Sequence, residues 1–68
     1  MIYRMDNNND ITRETLDNTP QLSLLTSKPN FDYFLGEDGD YYIITYLSMS
    51  QARSRVLKHR KELEVKFG

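Results

Sequence analysis

The sequence predicts an α+β fold, a small antiparallel sheet of three to four strands packed on one C-terminal helix. Three observations carry this. Residues 30–35 and 41–47 are aromatic and β-branched runs joined by Gly36-Glu37-Asp38-Gly39-Asp40, a Gly-containing link that signals a hairpin over 30–47. Ser48-Met49-Ser50-Gln51 is a capping box, in which Ser48 caps the helix and Gln51 reaches back to the cap. Beyond it, Met49, Ala52, Val56 and Leu63 recur at helical spacing, which sets the helix over 48–66. The 68 residues suit a single small domain spanning 1–68.

From the start of the chain, Met1–Met5 suits a short first strand, with Ile2 and Arg4 on one face and Tyr3 and Met5 on the other. The run Asp6-Asn7-Asn8-Asn9-Asp10 breaks it, because Asn and Asp bond their own backbone and favour turns. Asp10 then suits an N-cap for one or two helical turns through Ile11–Leu16, docked by those two apolar residues. Pro20 ends that segment by pushing Thr19 out of the α region. Gln21–Ser27 reads as a strand with Leu22 and Leu24 on one face, closed by Lys28-Pro29.

The hairpin does not declare its buried face. In the second arm Tyr41, Ile43, Thr45 and Leu47 share one side, while Tyr42, Ile44 and Tyr46 share the other, and both sides are largely apolar. The expected core is Leu22, Leu24, Phe34, Ile44, Tyr46, Met49, Ala52, Val56 and Leu63. The opposite choice, with Phe31, Tyr33, Ile43 and Leu47 inward, fits the pattern nearly as well.

Charge is distributed unevenly. Residues 51–68 hold six Lys/Arg against two Glu, leaving +4, and residues 1–50 hold three Lys/Arg against eight carboxylates, leaving −5. The formal net charge of −1 hides this split, which points to a polyanion or to a second protein. A nucleic-acid reading would use Arg53, Arg55, Lys58, Arg60 and Lys61 on phosphates. Those residues wrap both flanks of the helix, however, and Glu62 and Glu64 dilute them. A solvated helix face, or a face for a protein partner, accounts for them as well.

The chemistry of catalysis is missing from the pattern. There is no Cys and one His, which excludes disulfides and thiolate or multi-His metal sites within one chain and suits a reducing cytoplasm. Glu37-Asp38-Gly39-Asp40 lacks the alternation and the distant Glu of a calcium loop, and turn chemistry explains it. No hydroxyl stands in a triad order or on a nucleophile elbow, and His59 flanks the apolar stripe of the helix as a packing residue. No apolar run reaches the roughly 20 residues of a membrane span, and no secretory signal pattern opens the chain. The expectation is a non-enzyme without cofactor or metal.

What remains is binding. Six aromatics crowd the hairpin, beside Asp32, Glu37, Asp38 and Asp40 rather than Lys/Arg, so they suit a protein interface better than stacked bases. Tyr33, Tyr41, Tyr42 and Ile43 are the expected partner-binding residues, with homodimerisation through the same surface expected from the open sheet edges. Abundant Asn, Asp, Ile, Tyr and Lys hint at an AT-rich bacterial or phage genome. In size and style the chain resembles small phage or mobile-element proteins, and that resemblance implies an inhibitor or adaptor of a larger host protein. It transfers no site residues.

Overall fold

A computed structural model describes residues 1–67, with side chains through Arg60. The order is β1 (Ile2–Met5), β2 (Ile11–Glu14), a 3-10 turn (Leu16–Asn18), β3 (Leu22–Lys28), β4 (Phe31–Gly36), β5 (Tyr41–Thr45) and α1 (Met49–Phe67). The strands form one five-stranded antiparallel sheet in the order β2-β1-β5-β4-β3. The α+β class stands as expected, with the first strand confirmed and one further strand added.

The added strand corrects the reading of Ile11–Leu16 as helix. Asp6 Oδ1 accepts the backbone N–H groups of Asn8 and Asp10, and Asn9 takes a left-handed φ of 65°. Those bonds close 6–10 into a hairpin turn rather than leaving Asp10 to cap a helix. Ile11 then pairs with Met5 and Glu14 with Ile2. Helix chemistry survives only in the 3-10 turn at Leu16–Asn18, and Thr19 before Pro20 is extended as the pre-proline rule requires.

The meander β3-β4-β5 is joined to the β1-β2 hairpin through the β1-β5 pairing, which places β5 at the centre, between β1 and β4. The capping box forms in full. Gln51 N–H donates to Ser48 Oγ at 3.3 Å, and Ser48 N–H donates to Gln51 Oε1 at 3.1 Å. Tyr3 ties the helix start to the sheet by donating its hydroxyl to the Leu47 carbonyl at 3.1 Å. Thr45, buried at the end of β5, donates to the Asn30 carbonyl and accepts from Leu47 N–H.

The helix covers the face carrying Tyr3, Met5, Phe31, Tyr33, Ile43 and Thr45, and Ala52 and Val56 are the helix residues buried against it. This is the opposite face from the expected core. Of that core list Ala52 and Val56 are buried, whereas Leu22, Phe34 and Ile44 are half-buried on the other face. Leu24, Tyr46 and Met49 are exposed, at 59%, 80% and 39%. Register explains the inversion, because the side-chain period of a strand is two and choosing the wrong face moves every residue of the set together. The side chains of Leu63 and Lys61 fall outside the described residues.

Candidate functional site

One face of the sheet lies under α1, and the other is left uncovered by that helix. Register places its residues in two rows across the strands. One row runs Glu14, Ile2, Ile44, Asp32, Ser27 and the next runs Thr12, Arg4, Tyr42, Phe34, Leu24. Ile2, Ile44 and Phe34 are half-buried and Leu24 is exposed, so an oblique apolar stripe crosses the face from β1 to β3.

Polar groups border this stripe, and the β4-β5 turn fixes several of them. The Tyr42 ring lies against Gly36, where an added Cβ would come within 2.5 Å of it. Glycine is therefore required at Gly36 by close approach, whereas Gly39 serves the turn with a φ of +88°. Tyr42 is buried although it faces away from the helix, and its hydroxyl donates to Asp38 Oδ2 at 2.6 Å. Burial first, then the Asp38 carboxylate, push the Tyr42 phenol up to about 12. The same bond leads the causes that hold the Asp38 carboxyl below its usual range.

Beside it, Arg4 pairs with Asp40 Oδ2 at 2.6 Å, joining β1 to the turn. Asp32 accepts from the Ser27 hydroxyl, and Glu14 from the Thr12 hydroxyl at 3.4 Å. Those donors are neutral and leave the carboxylate charge in place. The face is thus apolar in the middle and mainly acidic around it. A shallow cleft of about 290 Å³ continues it past the end of β5, lined in part by Met1, Lys28, Asn30, Asp32, Ile44 and Tyr46, so one cation stands beside Asp32 there.

The expected partner-binding residues divide. Tyr33 and Ile43 are wholly buried under the helix. Tyr41 is half-buried on the same face, beneath the Arg60 guanidinium at 5.8 Å from its ring centre. Tyr42 alone belongs to the uncovered face. Tyr33 and Ile43 therefore contribute packing rather than accessible contact area. The Tyr33 hydroxyl is buried with no hydrogen-bond partner among the described residues, and burial raises its pKa.

The basic residues also divide. Arg53 donates through Nε to the Asn9 carbonyl at 3.3 Å, and Arg60 is engaged with Tyr41. Arg55 and Lys58 are exposed on the opposite flank. The structure does not gather the four described cations into one stripe. Ile2, Phe34, Ile44, Leu24, Arg4 and Asp32 were absent from the expected site. Their signal is the alternation itself, readable once the helix is known to cover Tyr3, Tyr33 and Ile43.

Among the described residues, no group of three or more His, Asp or Glu side chains is placed to hold a metal ion, and no helix is long and apolar enough to cross a membrane. Comparison with protein-family models, with curated proteins and with solved structures finds no match.

Proposed function

We propose that the chain is a small non-catalytic protein-interaction module, an inhibitor or adaptor that binds a larger protein through the uncovered face of its sheet. The observation that carries this reading is the stripe Ile2, Ile44, Phe34 and Leu24, apolar and uncovered, in a domain whose core already lies on the other side. Interfaces combine such an apolar centre with a polar rim. The carboxylates of the rim repel phosphates, so the same face is unsuited to nucleic acid. A cytoplasmic setting and an origin in a phage or mobile element belong to the same proposal.

The nucleic-acid alternative rests on Arg55 and Lys58, both exposed, with Arg53 and Arg60 already engaged within the molecule. An electrophoretic shift with mixed DNA and RNA at low and moderate salt separates the two readings. The interaction reading expects no shift at moderate salt, and capture of a protein from nuclease-treated lysate that Phe34→Ser weakens. A shift that persists at moderate salt and is lost in Arg55→Glu/Lys58→Glu would favour the alternative. Self-association is a rival use of the uncovered face, and sedimentation of the full chain over a concentration series reads it.

A further inference from the structure

We propose that the uncovered sheet face receives a basic amphipathic helix of another protein, seated along Ile2, Ile44, Phe34 and Leu24 with its Lys/Arg against Asp32 on one flank and Asp38 on the other. This rests on the interaction reading above and names the chemistry of the partner.

The dimensions suit a helix. From Ile2 on β1 to Leu24 on β3 the stripe crosses three inter-strand steps and advances two residues along the strands. At about 4.8 Å per step and about 3.4 Å per residue, that spans roughly 16 Å. At 1.5 Å rise per residue it matches about three turns of helix. The sheet already carries one helix on its other face, so a second would complete a layered sandwich.

Charge selects the kind of helix. Asp32, Asp38 and Glu14 border the stripe with their charge in place, while Asp40 and Arg4, the cation within its two rows, neutralise each other. A partner therefore brings Lys/Arg on both sides of an apolar stripe. A second copy fits less well in either orientation. Two-fold pairing of open faces sets carboxylates against carboxylates. Face-to-back stacking offers, among the described residues, Met49 and Leu57, two exposed apolar side chains eight residues apart for a stripe of four.

Strand addition is disfavoured at both edges. β2 has four residues, including Arg13 and Glu14, and β3 is interrupted by a bulge between Leu24 and Thr26. Short, charged or bulged edges discourage pairing.

The test uses two labelled 18-residue helical peptides with the same Leu stripe, one flanked by Lys and one by Glu, titrated with the full chain by fluorescence anisotropy. The expected result is saturable one-to-one binding of the Lys peptide, with the Glu peptide at least tenfold weaker. Leu24→Ser should weaken the Lys peptide about fivefold, and so should Asp32→Asn with Glu14→Gln. Leu24 is mostly exposed, so its replacement leaves the fold in place, as circular dichroism would verify.

Absence of binding, equal binding of both peptides, or indifference to Leu24→Ser would overturn the proposal. So would self-association that Leu24→Ser abolishes, because the occupant would then be a second copy. A captured native partner that depends on Leu24 but presents no basic helix would overturn this inference and leave the interaction reading standing. Capture indifferent to the whole face would overturn both.

Discussion

At the scale of single residues, stability depends on a few close contacts. Ser48→Ala removes the acceptor of the Gln51 N–H and should cost about 1 kcal/mol, lowering the melting temperature by about 4–8 °C in a domain this small. Gly36→Ala places a methyl against the Tyr42 ring and the Asp38 carboxylate, and should cost about 1–3 kcal/mol by overpacking. Gly39→Ala meets no steric obstacle and is destabilising for another reason, the left-handed φ it must adopt. Chemical denaturation of the two variants separates these causes when Tyr42 is also replaced, since only the Gly36 penalty should shrink. Tyr33→Phe deletes a hydroxyl that is buried without a partner among the described residues. It should leave the midpoint unchanged or raise it, and a loss above about 1 kcal/mol would show that the hydroxyl is paired. Asp38 has a depressed pKa when folded, so its contribution is present above the unfolded value near 4 and is lost as pH falls through the lower folded value. Tyr42 behaves in the opposite sense. Its raised pKa supports the fold below about pH 10, and that support is lost as pH rises toward about 12. Tyr42→Phe should flatten both ends of a stability-versus-pH curve.

At the scale of elements, the helix is the part that holds the sheet to one side. Val56→Ala should cost about 2 kcal/mol, since Val56 is wholly buried against the sheet, and Leu57→Ala, one residue on and exposed, should cost far less. Thermal melts of the pair test which stripe of the helix faces inward. The helix start was legible because side-chain chemistry marks it: Ser48 and Gln51 satisfy each other's backbone whatever the sheet does. The β4-β5 hairpin was legible because Gly36 and Gly39 have few other uses. β2 was not, because Asp10 before Ile11 resembles a helix cap, and only the bonds from Asp6 Oδ1 turn the chain back along β1. The buried face was ambiguous for a physical reason. β5 is central and apolar on both sides, and Tyr42 is buried on the side away from the helix, against Gly36. Reading Tyr33 and Ile43 as contact residues followed from that ambiguity, and so did the omission of Phe34 and Ile44.

At the scale of the whole molecule, the acidic body and basic helix remain the clearest feature of the sequence, but the fold distributes them. Asp40 is spent on Arg4, Arg53 turns toward the 6–10 loop, and the acidic rim that remains surrounds an apolar stripe on the side away from α1. The interaction reading therefore depends on which of two sides meets a partner. A photo-crosslinking amino acid placed at Leu24 reports on the uncovered sheet face, and one placed at Leu57 reports on the outer face of α1, both positions being exposed. On the interaction reading the Leu24 probe crosslinks a protein partner in nuclease-treated lysate and the Leu57 probe does not. Crosslinking from Leu57 alone, to protein or to nucleic acid, would contradict it.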